Sequence, residues 1–319
     1  MSHFTRRNFI KAGAAVIASA ALAVEGNSII TGTEDPRLVT VEIPLVRLPA
    51  AWDGLTIVQL SDFHYDPEVT LPPIRRAIEI TNGLRPDLIV LTGDFVTVPP
   101  FSKVFHNKKH SARVAEPCAA LLAELTAPLG VFAVLGNHDG DSDPKFIVEC
   151  LQANRIQVLR NRSLPFERQG ERLWLAGVDD VLEGDPDLDL TVKGIPNDEA
   201  VVALIHEPDY ARRAAQHPID LQLSGHSHGG QIVLPLVGPP YLPPLGRRYP
   251  KGLYQLGPLA LYTNVGLGTI RIPARLNCPP EVTLLKLRTA PNKGWPRPTR
   301  EPVSPKIARK SSPTISQPS

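Results

Sequence analysis

The chain has 319 residues, of which 42% are hydrophobic, and its formal net charge at pH 7 is only +2. Nucleic-acid partners usually require a strongly basic domain or stripe, so this near-neutral charge argues against a nucleic-acid partner. The cysteines Cys118, Cys150 and Cys278 share no short metal-ligand spacing, which argues against a zinc ribbon. The length fits one packed α/β domain of about 250 residues with tails.

The N-terminus predicts an export signal. Arg6 and Arg7 are followed by Phe9 and then an aliphatic residue, which resembles the twin-arginine signal. The small, apolar run 12–24 comes next and contains an A-x-A-like cleavage site at 21–23. We therefore assign 1–23 to a signal peptide that the twin-arginine translocase reads. The predicted destination is the periplasm or the outer face of the cytoplasmic membrane, and an uncleaved signal acting as an anchor is the alternative.

The rest of the chain predicts one domain of alternating strands and helices. Residues 24–37 form a predicted linker, 38–290 the domain, and 291–319 a disordered tail rich in Pro, Ser and basic residues. Apolar runs predict strands at 38–45, 55–60, 87–91, 131–135, 173–178, 200–205 and 221–223. Helical periodicity predicts helices at 72–82, 115–125 and 144–153. The segments 260–262 and 282–287 are predicted to be strands near the far edge. Early alternation and later closely spaced strands predict two sheets packed face to face, with helices outside.

Polar residues of metal-binding type follow five of the apolar strands, just beyond their carboxyl ends. These clusters are Asp62-x-His64, Gly93-Asp94, Gly136-Asn137-His138-Asp139, His206 and Gly225-His226-x-His228. In open α/β sheets, ligands bind outside the carboxyl ends of the strands, so we expect the five clusters to converge on one crevice. A single cluster would more often be a turn or a buried core histidine. Five in order, each after a buried strand, make that explanation improbable.

The spacing within the clusters also fits metal binding. Side chains two apart on an extended backbone point the same way, so Asp62-x-His64 and His226-x-His228 can each offer two ligands to neighbouring metals. Glycines precede the ligands where a permissive backbone helps the chain leave the strand. A mixture of Asp, Asn and His suits Mn, Fe or Zn rather than Ca, which prefers an all-oxygen shell.

The order DxH, GD, GNHD, a lone His and GHxH resembles the calcineurin-like metallophosphoesterase family. The stretch Asn264-x-Gly266-Leu267-Gly268 and residues 275–281 resemble a bacterial branch of exported phosphodiesterases, which includes enzymes that cleave UDP-2,3-diacylglucosamine. The resemblance implies a four-layer αββα sandwich of two mixed sheets flanked by helices, and a site for two divalent ions. It implies that one ion is held by Asp62, His64, Asp94 and His228. It implies that the other is held by Asp94, Asn137, His206 and His226, so that Asp94 is the bridge.

By the same resemblance, His138 is the acid that protonates the leaving group without binding a metal. Many relatives carry a second Asp three residues after the GD aspartate to orient this histidine, but here that position is Thr97. We therefore predict that Asp139 orients His138 and belongs with it to the catalytic residues.

The predicted function is hydrolysis of a phosphodiester or pyrophosphate bond, lipid- or nucleotide-linked, by a hydroxide that bridges the two metals. His138 would donate a proton to the leaving oxygen. A phosphomonoesterase or protein phosphatase is one alternative. A metal-binding envelope protein with little turnover is another, although binding alone would not require His138.

The Pro-rich segment 233–252, which we call the flap, bears on the substrate. It combines large apolar side chains with Arg247 and Arg248, a mixture that suits a lipid or prenyl phosphate and peripheral contact with a membrane. The alternative is a Pro-rich connector packed on the domain. Arg247, Arg248 and Asn264 are the predicted substrate-binding residues.

Overall fold

The computed structural model describes residues 35–99 and 111–291. These residues form two six-stranded sheets with helices on the outside, which confirms the predicted α/β sandwich. The predicted signal peptide, most of the predicted linker, and the tail beyond residue 291 lie outside the described residues.

The first sheet is built from β1 (Arg37–Leu45), β2 (Thr56–Leu60), β3 (Leu88–Leu91), β4 (Val131–Ala133), β5 (Ile156–Val158) and β12 (Glu281–Thr289). Its strand order is β1-β12-β2-β3-β4-β5. The pairs from β2 to β5 are parallel, β12 runs antiparallel to β2, and β1 runs parallel to β12. Consequently β2, β3 and β4 deliver their carboxyl ends to the same edge.

The second sheet is built from β6 (Arg162–Arg168), β7 (Glu171–Gly177), β8 (Ala200–Leu204), β9 (Leu221–Ser224), β10 (Gly252–Leu256) and β11 (Leu259–Thr263). Its order is β10-β11-β9-β8-β7-β6, with antiparallel pairs at both ends and parallel pairs between them. The mixed pairing matches the predicted mixed sheets.

The helices are α1 (Leu71–Leu84), α2 (Ala115–Leu122), α3 (Asn137–Gly140), α4 (Pro144–Ala153), α5 (Leu188–Val192) and α6 (Ala211–Ala214). In α4, the Asp143 carboxylate accepts a hydrogen bond from the backbone N–H of Phe146 (3.2 Å) and so caps the first turn. Helix α1 ends at Leu84, and the next residue, Arg85, has a left-handed backbone. The three helices predicted from periodicity are therefore present with similar bounds.

Three apolar cores hold the layers together. One lies between the sheets and contains Trp52, Ile57, Phe132 and Leu223. The other two pack the outer face of each sheet against its helices. Because both faces of the central strands are buried, these strands have continuous rather than alternating apolar sequences.

The structure corrects one placement. The last strand, β12, was expected near the far edge, but it lies inside the first sheet between β1 and β2. It pairs with β1 along nine residues, from Arg37 with Glu281 to Leu45 with Thr289. Sequence analysis also missed β5, β6 and β10, since β5 has only three residues and β6 mixes polar residues with a proline.

Candidate metal centre

The loops that follow β2, β3 and β4 of the first sheet meet those that follow β8 and β9 of the second. Contacts across the sheets fix this meeting. The backbone N–H of His226 donates to Asp62 Oδ1 (2.9 Å), and His206 Nδ1 donates to the carbonyl of Thr92 (2.5 Å). Gln59 Nε2 also donates to the Ser224 carbonyl (2.9 Å). All five predicted clusters therefore lie around one space.

One group of ligand atoms belongs to Asp62, His64, Asp94 and His228, and these atoms all lie within 4.8 Å of one another. His64 Nε2 is 3.1 Å from His228 Nε2 and 3.4 Å from Asp94 Oδ2. His228 Nε2 is 3.4 Å from Asp62 Oδ1. All four residues are buried. We call these four residues the inner group.

A second group surrounds the other side of Asp94, and we call it the outer group. Asp94 Oδ2, which faces His64, is also 3.3 Å from His206 Nε2. His226 Nδ1 is 2.8 Å from Asn137 Oδ1, and the rings of His206 and His226 have centroids 5.1 Å apart. The Asp94 carboxylate therefore stands between the two groups.

The backbone at these ligands differs from the prediction. We expected extended backbone at the DxH and HxH pairs, but five ligands have left-handed φ angles between 42° and 70°: Asp62, His64, Asp94, His226 and His228. A left-handed non-glycine residue costs of order 1–3 kcal/mol and persists where the surroundings enforce it. The side chains converge because the loops turn sharply, and the extended-backbone explanation was wrong.

Close packing between the loops explains two of the glycines. A Cβ on Gly225 would lie 1.9 Å from Ser61 Oγ and 2.4 Å from Asp62 Oδ2. A Cβ on Gly136 would lie 2.3 Å from Asp94 Oδ1. Any side chain at either position would displace a ligand carboxylate.

Burial keeps three of the histidines neutral. It lowers the pKa of His64 to about 3 and that of His226 to about 4, and it lowers the pKa of His228 well below its usual value. A neutral imidazole keeps the lone pair that a metal requires. Burial also raises the pKa of the Asp62 carboxyl to about 6.

His206 and Asp94 behave as a charged pair. Burial alone would lower the pKa of His206, yet the adjacent Asp94 carboxylate raises it well above its usual value. Burial would likewise raise the pKa of Asp94, but the positive charge of His206 holds it well below its usual value.

The donor atoms fit divalent transition ions. His206 donates Nδ1–H to Thr92, and His226 donates Nε2–H to the Pro244 carbonyl (2.7 Å). The remaining nitrogens, His206 Nε2 and His226 Nδ1, face the side-chain oxygens of Asp94 and Asn137. His206 Nε2 is buried without a hydrogen-bond partner. In metal sites, a histidine typically donates a hydrogen bond from one ring nitrogen while its other ring nitrogen faces the metal position.

His138 lies beside the ligands. Its Nδ1 accepts a hydrogen bond from the backbone N–H of Val98 (2.9 Å), which in the neutral ring places the proton on Nε2. Its own backbone N–H donates to Asp94 Oδ1 (2.9 Å), and its ring meets His64 edge to face. The ring is thus held by the Val98 N–H and by its contact with the His64 ring.

The structure gives Asp139 a different role from the predicted one. Its buried carboxylate accepts hydrogen bonds from the backbone N–H groups of Asp94 (2.8 Å), Phe95, Val96 and Gly136. It therefore fastens the two ligand loops together, and the prediction that it orients the His138 ring was wrong. Thr97, which stands where many relatives carry the second Asp, contacts His64 Nδ1 through its hydroxyl (3.0 Å).

A pocket of about 270 Å³ opens above the outer group. Asn137, His138 and His226 line it, together with Leu182 and Tyr241. We call it the His138 pocket. Arg271 also lines it, and Arg271 is a residue that sequence analysis missed because no motif surrounds it.

The predicted substrate residues are placed elsewhere. Arg247 and Arg248 are exposed, are not among the pocket's lining residues, and are anchored through their backbone N–H groups to Asp209. Asn264 is fully buried, donates to Thr283 Oγ1 (2.8 Å) and accepts from the Gly266 N–H (2.7 Å). Asn264 therefore shapes the loop that packs against Asp62, so its predicted substrate contact was wrong.

The flap divides into two parts. Residues 244–250 are anchored: the Pro244 carbonyl accepts from His226, the Pro250 carbonyl accepts from Ser227 Oγ (2.5 Å), and Asp209 holds 247–249. By contrast, the turn at 234–238 exposes Leu236 completely and Val237 by 76%. The sequence left open whether the flap packs on the domain or exposes an apolar surface. Residues 244–250 pack on the domain, and the turn at 234–238 exposes an apolar surface.

Arg275 opens the stretch 275–281 that carries part of the family resemblance, but sequence analysis gave it no role. It is fully buried, and its guanidinium donates to the carbonyls of Gly268 (2.6 Å), Val265 (2.9 Å) and Cys278 (3.1 Å). One of its nitrogens also lies 3.5 Å from His228 Nδ1. Arg275 therefore braces the loop behind the inner group.

Comparison with known proteins identifies the family. Residues 55–230 match the family described as calcineurin-like phosphoesterase. The chain is 34% identical over 294 residues to the uncharacterized metallophosphoesterase YkuE of Bacillus subtilis (strain 168), covering 91% of this chain and 99% of that one. It is 32% identical over 289 residues to phosphodiesterase YaeI of Escherichia coli (strain K12), covering 89% and 99%. The chain therefore belongs to the calcineurin-like phosphoesterases and is a metal-dependent phosphoester hydrolase.

A third relative is longer. The chain is 32% identical over 304 residues to a bovine (Bos taurus) transmembrane protein with metallophosphoesterase domain, covering 90% of this chain and 64% of that one. Residues 3–23 match the twin-arginine translocation signal, which confirms that prediction and indicates export across the cytoplasmic membrane. Within 35–99 and 111–291, no helix has the length and apolar character needed to cross a membrane.

Proposed function

We propose that this chain is a dinuclear phosphodiesterase that cleaves a phosphodiester or pyrophosphate bond in a lipid- or nucleotide-linked substrate. The observation that carries the proposal is the Asp94 carboxylate, which stands between the inner and outer groups with His138 beside it. The name of the relative YaeI, a phosphodiesterase, supports the choice of bond.

The two groups have the donors that Mn, Fe or Zn prefer. The inner group would hold one ion, and Asn137, His206 and His226 would hold the other, with Asp94 shared. Two bound ions supply positive charge that neutralises the phosphate and lowers the pKa of a water molecule. Neutral imidazoles at His64, His226 and His228 are ready for this binding without first losing a proton.

The protein's own residues supply the remaining steps. In its protonated form, His138 would donate its Nε2 proton to the leaving oxygen. In the neutral ring, the Val98 N–H bonds to Nδ1 and holds the opposite side of the ring. Asp139 keeps the loops of Asp94 and Asn137 in register, because it bonds to the backbone of both loops. The apolar walls of the His138 pocket limit access of water to the leaving group.

We further propose that the exported protein works in the periplasm or at the outer face of the cytoplasmic membrane, in peripheral contact with lipid. The support is the twin-arginine signal together with the exposed Leu236 and Val237. Solvated turns normally avoid two adjacent exposed aliphatic side chains, and Arg247 and Arg248 in the same flap suit anionic headgroups. Leu236→Ser with Val237→Ser should reduce co-sedimentation with anionic vesicles and leave the melting temperature unchanged. Equal co-sedimentation of both proteins would remove the membrane proposal.

Metal analysis combined with an ester panel tests the function. The mature protein should hold two transition ions per chain and hydrolyse bis(4-nitrophenyl) phosphate faster than 4-nitrophenyl phosphate, and a chelator should abolish both activities. Faster hydrolysis of the monoester would favour a phosphomonoesterase. Two bound ions without turnover of either ester would instead indicate a metal-binding envelope protein.

A further inference from the structure

A second cavity lies on the other side of the centre. It is lined by His64 and by apolar residues such as Val69 and Ile272, and its walls also carry polar side chains: Tyr65, Asp66, Ser111, Arg113 and Thr269. The hydroxyl of Thr70, another lining residue, is buried and already donates to the His64 carbonyl (3.1 Å). We call it the His64 pocket. It shares two lining residues, Thr97 and Arg271, with the His138 pocket. The metal-ligand groups are therefore flanked by two cavities that meet at these two residues.

The buried side chain of Gln231 fixes the backbone on both sides of Arg271 at this junction. The side chain of Gln231, which is 6% exposed, accepts from the Ile270 N–H (2.9 Å) and donates to the Ile272 carbonyl (2.8 Å). Both neighbours of Arg271 are thus fixed, and Arg271 itself has a left-handed backbone with φ 64°. A strained, non-glycine residue held by its surroundings is often found where a side chain is aimed at a ligand.

The charge of Arg271 is free for an anion. Its guanidinium lies 4.8 Å from the centre of the Tyr241 ring, which orients the side chain without neutralising it. Among the described residues, neither Arg271 nor Arg113 forms an ion pair with a carboxylate. One of these arginines lies between the cavities and the other inside the His64 pocket, which the Asp66 carboxylate also lines.

The two cavities differ in what they contain. His138, the proposed acid, lines only one of them, and the walls around it include Val98, Leu182, Tyr241 and Ile270. The His64 pocket has no proton donor assigned to the leaving group, but it offers hydroxyl groups and Arg113. The substituent that departs must therefore lie in the His138 pocket.

We propose, resting on the function proposed above, that the substrate is a phosphodiester with two unlike arms. The apolar arm lies in the His138 pocket and leaves. The retained arm carries hydroxyl groups, as in a nucleoside or sugar, and lies in the His64 pocket, while Arg271 contacts the phosphate between them. A monoester has no second arm, so it would leave the His64 pocket unused.

The reaction balances as a hydrolysis. The oxygen of one water molecule forms the new bond to phosphorus, and one proton of that water passes to solvent. The bond from phosphorus to the oxygen of the apolar arm breaks, and protonated His138 donates a proton to that oxygen and becomes neutral. Solvent reprotonates His138, and the products are an apolar alcohol and the phosphomonoester of the polar arm.

The identity of the products tests the assignment of the arms. The metal-loaded wild-type protein is incubated with thymidine 5′-octyl phosphate, in which neither arm is an activated leaving group. We expect octanol and thymidine 5′-phosphate by chromatography. Octyl phosphate and thymidine as the products would overturn the assignment.

Variants test the second subsite. The substrates are thymidine 5′-(4-nitrophenyl) phosphate, octyl 4-nitrophenyl phosphate and 4-nitrophenyl phosphate. Thr269→Trp, which fills the His64 pocket, should lower kcat/KM for both diesters at least about tenfold and leave the monoester within about twofold. Arg113→Gln should raise KM for the thymidine diester alone, whereas Arg271→Gln should weaken all three esters.

The matched control is Arg212→Gln, an exposed arginine of α6 that lines neither pocket and should change nothing. Thermal melting verifies that each variant is folded. Equal losses on all three esters in Thr269→Trp would overturn the two-arm proposal. Failure of the proposed function looks different, because the wild-type protein would then show no metal-dependent hydrolysis of any ester.

Discussion

The two sheets contribute different chemistry to one centre. Loops of the first sheet carry both candidate ligand carboxylates, the amide of Asn137, the imidazole of His64 and the proposed acid His138. Loops of the second sheet contribute only imidazoles, those of His206, His226 and His228. Each metal-ligand group draws on both sheets, so neither sheet alone holds a complete set. Negative charge thus comes from one half of the sandwich and most of the imidazoles from the other, and bound cations would join the halves.

Removing the shared carboxylate should have the largest effect. Asp94→Ala takes from the first sheet the one side chain that serves both groups, so we expect loss of both ions. Turnover should fall by about 10³ or more, because metal binding supplies several kcal/mol of transition-state stabilisation. Elemental analysis and a phosphodiester assay measure the two effects. Asp198→Ala, an exposed carboxylate outside the centre, is the control, and a full pair of ions in Asp94→Ala would disprove the shared role.

Single-residue changes in each half should separate proton transfer from metal binding. His138→Ala, in the first sheet, should keep both ions and lower kcat by about 10² to 10⁴, the usual contribution of a general acid. His226→Ala, in the second sheet, should lose one ion. If His138→Ala also loses an ion, His138 is a ligand and the division between the sheets needs revision.

The contact between the halves should be sensitive to one methyl group. Gly225→Ala forces a second-sheet loop against Ser61 and Asp62 of the first sheet, and overpacking of this kind typically costs about 1–3 kcal/mol. Urea unfolding of the metal-free protein measures the cost. Gly83→Ala in α1 is the control, since its Cβ would meet nothing within 4 Å and should stabilise by up to about 1 kcal/mol. Equal free energies of unfolding for the two variants would show that the two loops can move apart at little cost.

Acid should weaken the contribution of the second sheet. The pKa of His226 is about 4 in the folded protein and about 6.5 when unfolded, so between these values the unfolded chain binds more protons. Stability from this group is therefore full above pH 6.5 and is lost as the pH falls toward 4. From pH 7 to pH 5, the metal-free wild type should lose ~2 kcal/mol more free energy of unfolding than His226→Gln. An identical pH dependence of the two proteins would mean that His226 is not held neutral.

The order of the clusters was enough to predict which side chains meet, because ligands at the ends of parallel strands share an edge whatever the details of their loops. The left-handed backbone at Asp62 and His226 was beyond such a prediction. It depends on close approaches such as Gly225 to Ser61, which join positions far apart in the chain. The Asp139 role failed for a related reason: its four partners are backbone N–H groups, which leave no mark on the sequence.

Substrate residues were harder to predict than metal ligands. Arg247 and Arg248 were chosen because they are cations among apolar residues, but their backbone is tied to Asp209 away from the pocket. Arg271 reaches the pocket because Gln231, forty residues earlier, fixes the loop around it. No local pattern marks such a pairing. Strand β12 was misplaced likewise, since an apolar run predicts a strand but not its neighbours.

The pairing of β1 with β12 also bears on how the protein is made. The first and last strands lie side by side, and β12 separates β1 from β2, so the first sheet cannot be assembled until Glu281–Thr289 has left the ribosome. A chain broken off earlier would leave β1 without its partner along all nine residues. The twin-arginine route carries folded proteins, so we expect a chain that ends before β12 to be exported poorly. Strand pairing of this kind would discriminate against truncated enzyme before it left the cell.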